Sequence, residues 1–199
     1  MSLLAIASVP ALLAEAEATA LDIQNWQPFT ISGLLQTEGY MRAVAAALQL
    51  EPNEIDNFVQ ARTQRQSVLE GRLTVTPTFF ISEAALAHLA AHTNRDVVRG
   101  QFQRLVTVIE QGQAEIRVVP FGLGITVVET NPFHLIQCEN HSILVIVEHL
   151  HYPDIVTASR DDPVVKACWL TSRHLSGIAL SQPLSLALIQ GYTKRSLFT

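Results

Sequence analysis

The 199-residue chain lacks any apolar run approaching the ~20 residues that a membrane-crossing helix needs, so no spanning segment is expected. It has only two cysteines, Cys138 and Cys168, far apart and without a second pair, which excludes a disulfide scaffold or a zinc ribbon and fits a reducing cytoplasm. Cationic residues are scarce: 13 Lys and Arg stand against 18 Asp and Glu, a net charge of -5. A phosphate backbone is gripped by clustered Lys and Arg, so the chain as a whole is not expected to hold DNA. Glycine-rich loops are missing too. Gly122-Leu123-Gly124 has no third glycine and no helix behind it, and Ser32-Gly33 lacks the glycine pattern of a nucleophile elbow.

What is present is apolar side chain, 48% of residues, against 16% charged. A chain of this length and composition can bury a full core without metal or disulfides, and its low charge points to a surface that pairs with something. The start imitates a secretory leader, since Leu3 to Leu13 is apolar and Ala14-Glu15-Ala16 resembles a cleavage site. It carries no Lys or Arg, Pro10 interrupts it, and acids occupy the cleavage region, so we expect residues 1–9 to be a leader or linker remnant followed by a docked helix.

Periodicity divides the remainder. Pro10 to Ala20 suits a helix, Ile23 to Ile31 an extended piece with Trp26, Pro28 and Phe29, and Leu34 to Leu50 and Pro52 to Leu69 a helical hairpin. Thr74 to Ile81 is β-branched and aromatic, and Pro77 within it predicts an edge strand or a bulge. Ser82-Glu83 starts a helix, and Asn94 precedes a strongly periodic one that Gly112 ends. Ile116 to Pro120, Ile125 to Glu129, Phe133 to Cys138 and Ile143 to Leu150 read as consecutive antiparallel strands, and helices follow from Asp162-Pro163 and Ser181-Gln182-Pro183. The expected class is α+β: N-terminal helices, an antiparallel sheet meander covered on one side by helices, and C-terminal helices.

Candidate chemistry is sparse. Arg62, Arg65 and Gln66 recur at about one helical turn and could grip a carboxylate or phosphate, or form a buried structural ion pair. His149 and His151 alternate on a strand end beside Glu148, with His134 or Asp154 as conceivable further ligands. Two ligands do not define a metal site, so no metal or cofactor is expected, and a small metal-dependent hydrolase stands as the alternative. The hairpin over 37–69 imitates a DNA-reading helix-turn-helix, but Glu54 and Asp56 occupy the start of its second helix, where groove-facing donors belong. Cys168 reads as inert packing.

Trp26-Gln27-Pro28-Phe29, then Ser32-Gly33-Leu34-Leu35-Gln36-Thr37-Glu38-Gly39-Tyr40-Met41-Arg42-Ala43-Val44, form a distinctive block. With Ala61-Arg62, Arg65-Gln66, Glu83-Ala84-Ala85-Leu86, Gln101-Phe102-Gln103-Arg104-Leu105, Val118-Val119-Pro120-Phe121-Gly122 and Pro132-Phe133, it resembles an uncharacterised domain that follows an Xre-type helix-turn-helix in actinobacterial regulators of the WhiJ-like and antitoxin-like kind. The resemblance covers residues 10 to 192. It departs from the family at Ser32, where proline is usual, and residues 1–9 leave no room for an upstream DNA-binding domain of roughly 60 residues. Either that domain has been cut away or this is a stand-alone relative.

The resemblance implies a cytoplasmic regulatory domain over 10–199 that is not an enzyme. It would act by dimerising or by binding a small partner protein or ligand, and would touch DNA only through an attached or separate helix-turn-helix. Candidate binding residues are Gln36, Thr37 and Tyr40 from the distinctive block, Arg62, Arg65 and Gln66 from the helical face, and Phe121 from the Phe121-to-Gly124 turn.

Overall fold

The computed structural model describes residues 12–70, 75–92, 94–122, 131–139, 142–148, 153–158 and 160–196. Helix α1 takes in the first described residues, 12–18, and turns at Thr19 directly into strand β1, Ala20–Gln27. A short 3-10 turn, Gly33–Leu35, leads to the hairpin of α2 (Glu38–Ala47) and α3 (Pro52–Glu70). Strand β2 (Thr78–Ser82) runs into α4 (Glu83–Ala90), and α5 (Arg95–Glu110) into β3 (Glu115–Val119). Strands β4 (Phe133–Cys138), β5 (Ile143–Glu148) and β6 (Pro153–Ala158) follow, then α6 (Pro163–Ile178) and α7 (Gln182–Ser196).

Helix starts are set by local chemistry. Asn94 Oδ1 accepts the amides of Asp96 and Val97 at 3.0 and 3.2 Å. Asp162 Oδ1 accepts those of Val164 and Val165, and Ser82 Oγ that of Ala84. Each satisfies amides that the first helical turn leaves without carbonyl partners. Gly112, at φ +66°, closes α5 in the left-handed region open to glycine.

The class is α+β, with a sheet of order β3-β2-β1-β4-β5-β6. The meander expected from the sequence holds for β4 and β5, which pair antiparallel, and β6, which the sequence reading did not include, extends it antiparallel to β5. The other half differs: β1, β2 and β3 are parallel, and β3 lies at the far edge, not beside β4. Parallel pairing needs helical crossovers, and the α2–α3 hairpin and the α4–α5 pair provide them. Strand β2 is central, because Pro77 sits just before it and offers its carbonyl to Glu115 N–H at 2.9 Å. The expected strand at 125–129 and the residues His149 and His151 lie outside the described residues.

The sheet is covered on both faces rather than one. Phe79 and Ile81 enter a core with Phe102 and Leu105 of α5 and Ile189 of α7, whereas Phe80 joins Trp26, Phe133 and Val145 against Val165, Cys168 and Leu175 of α6. Runs such as Phe79-Phe80-Ile81 are apolar without alternation because both of their faces are buried. A third cluster places Leu13 and Ala16 of α1 on Ile23, Ile136, Leu144 and Ile146.

The β3 edge is occupied. Val118 N–H donates to Ser185 Oγ at 2.9 Å, and Val118 O accepts from Leu180 N–H at 2.8 Å. Beside it Arg117 donates to the carbonyls of Ser176, Ala179 and Leu180, capping the end of α6 with a cation.

Candidate functional site

The distinctive block does not form one long helix. After the 3-10 turn the chain stays extended at Gln36 and Thr37, and Thr37 caps α2 by accepting the amide of Tyr40. In segment 31–37 the 3-10 turn and the start of α2 satisfy only some of the backbone groups, and side chains from α2, α3 and α5 satisfy others. Gln66 Nε2 donates to the carbonyls of Gly33 and Gln36 at 3.0 and 2.6 Å. Fully buried Gln101 donates to Leu35 O at 2.8 Å and accepts from Thr37 N–H at 2.8 Å. Gln36 Nε2 donates to Ile31 O at 2.6 Å while its Oε1 accepts from Arg62 Nη1 at 2.8 Å.

Tyr40 completes this knot, its phenolic oxygen accepting Ile31 N–H at 3.3 Å. Burial pushes the Tyr40 phenol above its ordinary 10.0, the Ile31 amide and the Arg62 charge pulling the other way. It is therefore a neutral hydroxyl near pH 7. Arg62 also lies over the Phe58 ring, 4.0 Å from its centroid. One turn along α3, Arg65 grips Glu17 of α1 through two bonds, at 2.6 and 3.2 Å. The side chains of this pair are 11% and 1% exposed, so charge is buried against charge.

Five of the seven candidate residues, Gln36, Thr37, Tyr40, Arg62 and Gln66, thus belong to one hydrogen-bonded arrangement, and Arg65 stands beside it on α3 in a separate pair with Glu17. The bonds of both run inward, tying segment 31–37 and α1 to α3. Phe121 belongs elsewhere. Its amide donates to Glu83 Oε2 at 2.8 Å and its ring is 59% exposed. Glu83 also accepts from Tyr192 at 3.1 Å, and Tyr192 stacks on Phe102. Burial raises the Tyr192 phenol, and the Glu83 hydrogen bond and charge add to that. Phe29, 56% exposed, stacks on His88 of the same helix α4, with ring centroids 6.3 Å apart. The parallel strands β1, β2 and β3 all end at this edge, which gathers Phe29, Glu83 and Phe121.

Several contributors carried weak sequence marks. Glu17 sits inside the stretch that imitates a leader. Gln101 occupies a position on the apolar stripe of α5, between Val98 and Leu105, where a polar residue marks a buried hydrogen-bonding task. Phe29 and His88 give no sign of their stacking. The described residues hold no group of three or more His, Cys, Asp or Glu able to bind a metal. Burial pushes the Cys168 thiol up to about 11, so it is a weak nucleophile near neutral pH. No described helix is long and apolar enough to cross a membrane.

These features define an α+β module whose polar side chains hold its own chain in place, with an aromatic edge turned outward. The chain belongs to the family described as Domain of unknown function (DUF5753), whose model matches residues 10–191. No curated protein and no solved structure matches it.

Proposed function

We propose that this chain is the regulatory domain of a helix-turn-helix transcription regulator, acting in the cytoplasm by pairing with a small partner protein or with a second copy of itself. The observation that supports this reading most is the aromatic edge at α4, where two largely exposed phenylalanines flank one helix. Exposed aromatic side chains anchored on a rigid element are the usual centre of a protein interface. Gln36, Thr37, Tyr40, Arg62 and Gln66 then hold segment 31–37 against its neighbouring helices, Arg65 holds α1, and binding would favour one of two arrangements of them. The resemblance to WhiJ-like and antitoxin-like regulators, which work beside small proteins encoded nearby, fits this pairing role.

Sedimentation over a wide concentration range, and co-purification with proteins encoded beside the gene, test the reading. Self-association or a stoichiometric complex that is lost in a folded Phe29→Ser/Phe121→Ser variant is the expected result. A chain that stays monomeric and takes up none of those neighbours overturns it. Direct DNA reading by the α2–α3 hairpin has no support from charge, because exposed Glu51, Glu54 and Asp56 crowd the start of α3 and Arg42 is paired with Glu38 and Asp56.

A further inference from the structure

Negative charge is not spread evenly over the elements of this chain. Helices α4, α5 and α7 pack into one core on one face of the sheet. They hold five of the chain's 13 Lys and Arg but only three of its 18 Asp and Glu, so this layer is net positive on a chain of net charge -5. The exposed phenylalanines of the α4 edge lie beside its cations. Glu83, which holds the Phe121 amide, also holds the Tyr192 hydroxyl, and the Arg195 guanidinium lies 5.2 Å from the centroid of the Tyr192 ring. Arg95 donates to Ala90 O at 3.2 Å, at the end of the helix whose His88 stacks on Phe29. Both arginines are exposed. Glu83, the carboxylate between them in the chain, has both oxygens engaged by the protein's own amide and hydroxyl.

The pairing role proposed above leaves two kinds of occupant for this edge, and the charge separates them. We propose that the edge receives an acidic segment of a second protein, which lays apolar side chains on Phe29 and Phe121 and sets carboxylates against Arg95 and Arg195. The inference rests on the reading of the aromatic edge as an interface. Two copies joined edge to edge about a twofold axis would turn the same net positive layer on itself, and like charges facing each other oppose association. An acidic segment meets the reverse. Guanidinium forks take carboxylates through paired hydrogen bonds, and exposed aromatic rings supply the apolar contact. A long polyanion such as a nucleic acid is disfavoured, because the net negative remainder of the chain repels it while a short segment touches the positive layer alone.

The test titrates the full chain, by fluorescence anisotropy, with two dye-labelled peptides: three repeats of Glu-Leu-Leu-Glu and three of Lys-Leu-Leu-Lys. The glutamate peptide is expected to bind about tenfold more tightly than the lysine peptide, a preference that shrinks as salt rises from ~0.05 to ~0.3 M. Reversing both charges, Arg95→Glu with Arg195→Glu, is expected to remove the preference, and Phe29→Ser/Phe121→Ser to weaken both peptides. Equal binding of the two peptides by the wild type, or a preference that survives charge reversal, overturns the inference. So does a single-stranded oligonucleotide that displaces the glutamate peptide. If the charge-reversed chain does not fold, the salt series on the wild type decides, and a preference that salt leaves unchanged refutes the acidic partner. Sedimentation separates this failure from that of the interface reading. Self-association abolished by the phenylalanine changes keeps the edge as an interface and refutes the acidic partner, whereas a chain that neither self-associates nor binds either peptide refutes both.

Discussion

Gln101→Met tests the reasoning about segment 31–37 most directly. Methionine is close to glutamine in volume and keeps the packing of α5, while removing every hydrogen bond the amide makes. Two backbone groups then lose their partner: the carbonyl of buried Leu35 and the amide of Thr37, each held at 2.8 Å. A buried group left unsatisfied costs about 1–3 kcal/mol. Leu35 O should pay in full and the half-buried Thr37 amide in part, so about 2–4 kcal/mol is expected. That is a large share of the ~5–15 kcal/mol typical of a domain. Urea unfolding followed by circular dichroism reads the loss as a lower midpoint at unchanged slope. Gln103→Met, at an exposed position on the same helix, should stay within about 0.5 kcal/mol. A loss below about 1 kcal/mol for Gln101→Met, at equal slope, would show that the glutamine does not clamp the segment.

Two further predictions concern local chemistry. Asn94→Ala should cost about 1 kcal/mol and Asn94→Ser much less, because the side-chain acceptor at the start of α5 is lost in one and kept in the other; equal losses in thermal unfolding would contradict the cap. Cys168 should resist alkylation in the native protein near neutral pH and react once unfolded. Its folded value of about 11 lies above the ordinary 9.0, so the unfolded chain ionises first. Stability from this thiol is therefore present below pH 9.0 and lost as pH rises toward about 11, a slope that Cys168→Ala should remove.

Sequence chemistry reached as far as local rules reach. Ser82, Asn94 and Asp162 were legible as helix starts because a cap and the amides it accepts lie within three residues. Parallel pairing of β1, β2 and β3 was not legible, since nothing in a strand's own residues states which neighbour it finds across a helical crossover. Strand β6 was missed for a related reason: Pro153 and Asp154 open it and mask its short β-branched run. At the site, the spacing of Arg62, Arg65 and Gln66 gave their common face. Their partners could not be read, because Gln36 lies 26 residues from Arg62 and Glu17 lies 48 from Arg65. The choice between an external anion and an internal carboxylate was a question of tertiary placement.

The occupied edge of β3 bears on how these molecules can misassemble. Strand-by-strand growth into a fibre requires two open ends on every molecule, one to accept and one to offer. At β3 the hydrogen-bonding groups of Val118 are already committed to Ser185 and Leu180. An invading strand would have to peel away the linker between α6 and α7 and break the Arg117 bonds to the end of α6. Whatever happens at β6, a chain of sheets joined edge to edge stops at the first β3 it meets.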